Sequence, residues 1–261
     1  MNVSVARVDF DSGDGTPTGV REEISKELQG RNFEQEPGTD YLNELANEIA
    51  EVSVRGALQN QGYFQATATA KLAVLQSGAT EISVAAVISA SPGPQYQAGD
   101  IRIESADDRV PLEMPAEKLR DLIPLQRGEL FDVERVRAGL RNLTAAYGRL
   151  GYVDMTVEPE FQIEDAHNLI DMVLKVDQQA QYRIGGVEFL GVNAATRAIL
   201  VKSLPGPGEI FDVTRLEEFF RVNQAILPSD ASRDDVIVKH DPKSGTVAIL
   251  FDFRTCPPHS N

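Results

Sequence analysis

The chain of 261 residues has no tryptophan, a single cysteine and few aromatic residues. Aromatic side chains account for 7% of the residues, so we expect several small aliphatic cores and not one large aromatic core. The lone thiol, Cys256, excludes an intramolecular disulfide framework and a zinc site built from cysteines. Whether Cys256 pairs with another chain stays open.

Basic residues are also scarce, with 25 Lys and Arg against 40 Asp and Glu, and the net charge is −15. Nucleic acids and anionic lipid surfaces bind clustered Lys and Arg, so we expect neither as a partner. No apolar run reaches the roughly 18 residues of a membrane span, so we expect no direct membrane span. Residues 1–4 lack the pattern of a signal peptide, so we expect either a cytoplasmic protein or one whose leader has been removed.

A repeated hexapeptide organises the chain. Residues 128–133 read Gly-Glu-Leu-Phe-Asp-Val, and residues 208–213 repeat them with Ile in place of Leu. A weaker copy, Gly-Thr-Asp-Tyr-Leu, occupies residues 38–42. The spacing of the two strong copies is too long for a solenoid repeat and suits a small domain. We therefore predict three modules, which cover residues 1–91, 92–178 and 179–255, and a tail of residues 256–261.

Each module follows one order: a strand, two helices and a hairpin of two strands. Alternating apolar residues predict strands, and apolar residues one helical turn apart predict helices. The predicted strands are 3–10, 64–75, 80–90, 101–104, 153–163, 168–176, 183–190, 236–239 and 246–253. The predicted helices cover about 19–29, 40–60, 115–123 and 195–204, with one further helix after each strong hexapeptide.

The hexapeptide is best explained as a helix entry. The glycine turns the backbone, the phenylalanine packs back onto the first turns, and the aspartate caps the helix for about 1 kcal/mol. A phosphate-binding loop would need more glycines and a Lys or Ser/Thr, which the hexapeptide lacks. The residues assigned these structural roles are Gly128, Phe131, Asp132, Gly208, Phe211 and Asp212.

A Gly-Tyr pair ends the second helix of the first two modules, at Gly62-Tyr63 and Gly151-Tyr152. Glycine accepts the left-handed conformation that a helix end favours. We expect each tyrosine ring to pack on the sheet while its hydroxyl reaches a partner. The third module breaks this pattern, because Leu-Pro-Ser-Asp stands at residues 227–230.

No pattern indicates catalysis or metal binding. The stretch from Asp9 to Gly15 is rich in Asp and Gly, but Gly13 and Val20 occupy positions where a calcium loop needs oxygen ligands, so an acidic turn is favoured. The three histidines are scattered without metal-ligand spacing, and no nucleophile motif exists. We therefore predict no catalytic residue, no cofactor and no metal; an enzyme with a cryptic site is the remaining alternative. The histidines are His167, His240 and His259.

The order of these motifs resembles the POTRA domains of outer-membrane assembly and translocation proteins of the BamA and TamA type. The resemblance rests on the two hexapeptides, on Gln-Tyr-Arg-Ile at 181–184 with Phe-Leu-Gly-Val-Asn at 189–193, and on Tyr-Gly-Arg-Leu-Gly-Tyr at 147–152. It implies an α+β fold of three tandem βααββ domains. Each domain would be a three-stranded mixed sheet packed against two antiparallel helices.

The resemblance also implies a binding mode. In the family, the strand after Gly-Tyr lies at the edge of the sheet, where its unpaired backbone groups can add a partner strand. The corresponding segments here are residues 65–75, 153–161 and 235–240. Proline lacks a backbone donor, so Pro159 fits an edge. The candidate partner-binding residues are Val153, Met155, Val157, Glu158, Pro159, Thr67, Thr69, Val236 and Val238.

The implied function is a non-enzymatic, chaperone-like scaffold in outer-membrane protein assembly or protein translocation. It would be periplasmic and associated with the outer membrane of a Gram-negative-type envelope. Its partners would be unfolded or extended outer-membrane client polypeptides and accessory envelope proteins. In the family a membrane β-barrel usually follows; no barrel strands are predicted after Phe253, so we expect an excised periplasmic part or a barrel-less relative. The alternative is a structural module of a cell-division complex resembling FtsQ.

Overall fold

The structure is a computed structural model, and it describes residues 2–34 and 40–254. Gly38, Cys256 and His259 lie outside the described residues. The strands are β1 Asn2–Phe10, β2 Asn32–Glu34, β3 Thr67–Ser77, β4 Glu81–Ser91, β5 Gln97–Ser105, β6 Thr156–Glu164, β7 Leu169–Asp177, β8 Arg183–Leu190, β9 Val236–Asp241 and β10 Thr246–Asp252. The helices are α1 Thr18–Leu28, α2 Tyr41–Glu48, α3 Arg55–Asn60, α4 Ala116–Arg120, α5 Val133–Arg149, α6 Ala194–Leu200 and α7 Thr214–Asn223. A π-helical segment, Ile49–Val54, joins α2 to α3.

The described strands form three sheets, with the orders β2-β1-β4-β3, β5-β7-β6 and β8-β10-β9. In the first sheet β4 is parallel to β1 and antiparallel to β3, and in the third β10 is parallel to β8 and antiparallel to β9. The predicted fold class is confirmed, with one correction. The first sheet has a fourth strand, because Asn32–Glu34 alternates exposed, buried and exposed and pairs antiparallel with β1.

The first sheet is packed against α1 and the α2–α3 helix. Alternate residues of the strands and one stripe of each helix are buried in one cluster, as the two periodicities require. The cluster includes Val3, Val5, Val84 and Ile88 from the sheet and Ile24, Leu28, Leu45, Ile49 and Leu58 from the helices. Because Ala68, Ala70 and Leu72 of β3 also pack on it, the opposite face of β3 is left to solvent.

The third sheet buries a more aromatic core. Phe189 and Phe251 stack with ring centroids 4.7 Å apart, and Phe219 of α7 lies 4.5 Å from Phe251. Val236 and Val238 of β9 pack against this cluster. Aromatic residues are thus more frequent in this core than in the first, so the expectation of small aliphatic cores holds for the first sheet but is wrong for the third.

By the density of their contacts, the residues fall into two compact units. One comprises Met1–Arg102, Ile123–Gly139 and Glu160–Val173, and the other comprises Ile103–Leu122, Leu140–Pro159 and Leu174–Asn261. Both units draw on residues 92–178, so the three module boundaries stay a prediction.

An aspartate in the predicted acidic turn is buried. The Asp14 carboxylate accepts hydrogen bonds from the Thr16 hydroxyl at 2.8 Å, the Thr16 N–H at 3.1 Å and the Ala90 N–H at 2.8 Å. Arg21, whose guanidinium lies 2.9 Å from Oδ2, supplies the opposite charge. These bonds fasten the loop between β1 and α1 to the end of β4, so the residue is structural.

Each hexapeptide pairs with the first strand of its own sheet. Phe131 N–H donates to Tyr96 O at 3.0 Å, Ala98 N–H to Glu129 O at 2.8 Å and Gly128 N–H to Ala98 O at 2.7 Å. The second copy repeats all three bonds at 3.0, 2.8 and 2.7 Å, through Phe211 to Tyr182, Ile184 to Glu209 and Gly208 to Ile184. The hexapeptide therefore satisfies backbone groups at the outer edge of β5 and β8 as well as starting a helix.

The predicted helix-entry roles are present with one shift. Asp132 Oδ1 accepts from Arg135 N–H at 3.1 Å, the bond of a helix cap. Asp212 accepts instead from Thr214, through its N–H at 2.9 Å and its hydroxyl at 2.7 Å, because α7 begins one residue later than the repeat predicts. Phe131 and Phe211 are buried.

A junction follows each Gly-Tyr pair. In the first, Tyr96 N–H donates to Gly62 O at 2.8 Å and the Gln95 side chain donates to Gln61 O at 2.8 Å. Phe64 packs edge-on against Phe131 with centroids 5.3 Å apart. These contacts join the end of the α2–α3 helix to the start of the next sheet.

The second junction repeats the first within the other compact unit. Tyr182 N–H donates to Gly151 O at 2.9 Å, and the Gln181 side chain donates to Leu150 O at 2.9 Å. Gly62 and Gly151 both have φ of 85°, and a Cβ at Gly151 would lie 2.7 Å from Tyr182 O. Glycine is therefore required here by both conformation and space.

The tyrosines that enter the junctions are buried and donate to carboxylates. Tyr96 donates to Asp165 at 2.6 Å, and this bond, with burial, raises the pKa of Tyr96 to about 12. Tyr182 donates to Asp154, which likewise raises its pKa to about 12. Asp154 also lies 3.2 Å from Nδ1 of His240. The Tyr152 hydroxyl was expected to reach a partner, and it donates to Glu113 at 3.2 Å. Tyr63 packs against the core of the first sheet.

Replacing Asp14 with asparagine should lower the free energy of unfolding by about 2 kcal/mol. The reason is that the substitution removes the charge of a buried carboxylate and one of the two oxygens that accept its hydrogen bonds. Asp9→Asn is the matched control, since Asp9 forms an exposed ion pair with Arg7 and should cost less than about 0.5 kcal/mol. Urea unfolding of both variants measures the difference. Equal losses would contradict a structural role for Asp14.

Gly151→Ala should destabilise the chain more than Gly208→Ala. Both glycines have left-handed backbones, φ 85° and 86°, so each alanine costs about 1–2 kcal/mol in conformation. Only at Gly151 does the added methyl meet a carbonyl, because nothing lies within 4 Å of a Cβ at Gly208. We expect an extra loss of at least about 1 kcal/mol for Gly151→Ala in urea unfolding. A loss no larger than that of Gly208→Ala would argue against the close approach.

The Tyr182→Phe variant should be less stable than the parent chain by about 1 kcal/mol at neutral pH. Tyr182 has a raised pKa in the folded state, so its contribution is complete below pH 10 and is lost as the pH rises toward 12. The difference between the two proteins should therefore shrink over that range, measured as urea midpoints at several pH values. A difference that stays constant from pH 9 to pH 12 would refute the assignment.

Candidate functional site

Three strands at sheet edges are the candidate binding sites. The strand after each helix end, β3, β6 or β9, is the last in the order of its sheet. The edge position was predicted for all three, and the topology confirms it.

The β3 edge is the longest and carries the least charge. It covers 11 residues, and Lys71 is its one charged side chain. Thr67 and Thr69, both predicted, are exposed on it, as is Ala73. A register shift between Val74 and Gln76 marks a bulge near its end, so the regular ladder runs over residues 67–74.

Sequence reasoning missed the apolar end of β3. The side chains of Val74 and Leu75, near the end of the strand, are 49% and 47% exposed. The available signal was the apolar run from Leu72 to Leu75, which interrupts the alternation of the strand, so that the apolar residues after Leu72 face solvent. Such a run on an open edge favours pairing with another strand.

The β6 edge corrects part of the prediction. The strand begins at Thr156, so Val153 and Met155 precede it. Met155 is buried, and Val153 packs against the third core at the position that Phe64 holds in the first junction. These two residues lie outside the strand because the chain turns through residues 152–154 after Gly151 before it becomes extended.

The remaining β6 candidates lie on a charged edge. Glu158 is exposed and Val157 and Pro159 are half-buried on the strand, which also carries Glu160 and Glu164. Proline and outward charges are devices that discourage strand pairing. Phe161 is exposed in part, yet its ring lies 5.3 Å from Phe64, so it belongs to the first junction.

The β9 edge is short. It covers six residues, and the predicted Val236 and Val238 face the third core while Ile237 and Lys239 face outward. His240 is held by Asp154, and its ring lies 5.2 Å from that of Tyr182. This histidine is therefore part of the second junction.

The described residues contain no helix long and apolar enough to cross a membrane. Within residues 2–34 and 40–254, no group of three or more His, Cys, Asp or Glu side chains is arranged to hold a metal ion. His167, in the β6–β7 turn, lies 2.7 Å from Glu164 and is otherwise exposed.

Comparison with known proteins gives one family match in sequence. The POTRA family model, described as surface antigen variable number repeat, matches residues 96–179. No curated protein matches the chain at a significant level.

Solved structures share the fold. POTRA3-5 of BamA from Haemophilus influenzae is 17% identical, with a TM-score of 0.67 over 97% of this chain and 96% of that one. BamA from Haemophilus ducreyi lacking POTRA domains 1-3 is 17% identical over 69% of this chain and 30% of that one, with a TM-score of 0.45. POTRA1-3 of the periplasmic domain of Omp85 from Anabaena is 19% identical over 97% and 95%, with a TM-score of 0.35. The last two scores are too low to carry an argument. Residues 96–179 thus match the POTRA family, and the chain has the fold of tandem POTRA domains.

Proposed function

We propose that this protein is a non-enzymatic periplasmic scaffold that binds extended polypeptides during outer-membrane protein assembly. The observation that carries the proposal is an open, nearly uncharged strand, β3, at the edge of the first sheet. The match of residues 96–179 to the POTRA family model and the fold shared with BamA POTRA3-5 support this cellular setting.

The length of β3 suits strand addition. At about 3.3 Å per residue, the ladder over residues 67–74 offers roughly 26 Å of backbone. Half of its N–H and C=O groups point away from β4, and a partner strand would satisfy them. Backbone pairing does not depend on particular side chains, which suits a scaffold for clients of differing sequence.

The three edges differ enough to rank them. β6 has Pro159 and three glutamates, and β9 has only six residues, which span about 20 Å. β3 is the longest edge, and its exposed apolar side chains Val74 and Leu75 share the strand with one charged residue, whereas the exposed Phe161 and Ile163 of β6 stand among three glutamates. We therefore place client binding on β3 first and on the predicted residues of β6 and β9 second. No observation on the described residues favours the cell-division alternative.

A photo-crosslinking residue placed at Thr69, Lys71 or Ala73 should form adducts with an unfolded outer-membrane β-barrel protein diluted from urea. The same residue at Glu158, Glu160 or Ile237 provides the comparison on β6 and β9. We expect the β3 positions to give most of the adducts. Adducts confined to β6 or β9, or none at any position, would refute β3 as the binding edge.

Added negative charge on β3 should weaken client binding. The double variant Lys71→Glu, Ala73→Glu places acids on the exposed face of β3 and should weaken client binding about tenfold, because charges oppose strand pairing. The variant Gln162→Glu on β6 is the control and should leave affinity unchanged. Hydrogen exchange of residues 67–74 should slow on binding in the parent chain and not in the double variant.

A further inference from the structure

The two faces of β3 present different surfaces to a strand added at its edge. Ala68, Ala70 and Leu72 lie on the face that the helices cover, and they pack against the first core. Thr69 and Lys71 alternate with them and are exposed. A strand that pairs with β3 continues both faces, because successive side chains of a strand point to opposite sides. The added strand would therefore have one face toward the core and the other toward solvent.

The core face of β3 is apolar and incompletely covered. Val74 pairs across the sheet with Val84, a fully buried residue, so both side chains lie on the side of the sheet that the helices cover. Val74 is nevertheless half exposed, because the buried core ends before it. Ala68 and Ala70 have small side chains, which leave room beside them at the edge. An apolar residue of an added strand would cover Val74 and fill this space, whereas a charged residue would lose its hydration there.

The outer face of β3 carries one charge, which no residue in its row of the sheet neutralises. Lys71 pairs across the sheet with Val87, which has no charge. The next residue of the same row, Asp9 on β1, forms its ion pair with Arg7 at 2.8 Å. The ammonium group of Lys71 is thus available to a side chain that lies directly opposite it on an added strand. Opposite charges in that position stabilise a pair of strands, and equal charges destabilise it.

We propose that β3 selects strands with a two-residue alternation, in which apolar side chains lie beside Leu72 and Val74 and an acidic side chain lies opposite Lys71. This inference rests on strand addition at β3, the proposed function, and adds to it the pattern of the bound segment. The backbone of β3 accepts any strand, but a shift of one residue would exchange the two faces of that strand and place its charge on the core. Alternation and Lys71 together therefore fix the register, which backbone pairing alone does not.

Two peptides of identical composition, with blocked termini, test the alternation on the full chain. The first reads Ser-Val-Thr-Phe-Glu-Val-Thr-Val-Ser, and the second exchanges Glu with the Val that follows it, so that the acid moves to the apolar face. Fluorescence anisotropy of the labelled peptides measures both dissociation constants. We expect the first peptide to bind at least about tenfold more tightly, because the second places a carboxylate beside Val74 when its other residues are in register.

Charge reversal tests the role of Lys71. A third peptide, with Lys in place of the Glu of the first, should bind the parent chain about threefold more weakly than the first. Lys71→Glu should reverse this order, since the peptide with Lys then meets the opposite charge. A structural defect in β3 would weaken both peptides and would not reverse their order.

Two threonine substitutions locate the apolar contact. Val74→Thr, on the core face, should weaken binding of the first peptide about fivefold, whereas Ala73→Thr, its neighbour on the outer face, should leave the affinity unchanged. Urea unfolding establishes that both variants are folded. Equal effects of the two substitutions would contradict an apolar contact on the core face.

Equal affinities of the first two peptides, or an order that Lys71→Glu leaves as it is, would overturn the inference. The absence of peptide binding would overturn it as well, when an unfolded client still forms adducts at Thr69. In each of these cases strand addition at β3 stands. Loss of the client adducts at Thr69 would refute the proposed function, and the inference with it.

Discussion

The pairing of each hexapeptide with the first strand of its sheet anchors one outer strand of the second and third sheets. Three backbone bonds connect the start of β5 to Gly128, Glu129 and Phe131, and the same bonds recur at β8. In the first sheet the short strand β2 pairs with the start of β1. The start of one side of every sheet is thereby paired within its own chain, and β3, β6 and β9 are the outer strands on the other side.

The junctions depend on few side chains. Gly62 and Gly151 provide carbonyl acceptors and space, and the Gln95 and Gln181 side chains donate to the preceding helix end. Buried tyrosines then bind carboxylates of different origin, Asp165 for Tyr96 and Asp154 for Tyr182. The main-chain part of the junction is thus constant, while the polar part around it varies.

Much of the fold could be predicted from the sequence because its signals were local. Alternation located β8 at residues 183–190, and the hexapeptide located the start of α5. The Gly-Tyr pairs correctly preceded the edge strands. These features depend on backbone conformation and short-range periodicity, which a single sequence records directly.

What could not be predicted depended on contacts between distant residues. The strand β2 is only three residues long and exists because β1 offers an unpaired edge. Asp14 was predicted only as part of an acidic turn, because its partner Ala90 is far away in sequence. Val153 was predicted to lie in a strand because an apolar residue after Gly-Tyr fits a strand and a junction equally well. The edge position of the candidate strands was therefore predicted correctly, whereas the residues nearest the helix end were wrongly assigned to the strand.

The fold is maintained although identity with the BamA POTRA3-5 structure is 17%. Main-chain hydrogen bonds explain this tolerance, because any residue except proline supplies the same N–H and C=O. Substitutions can accumulate over most of the surface without loss of the connections between sheets, provided that a few glycines persist. Chains with this fold would diverge quickly in surface charge while their architecture stayed constant.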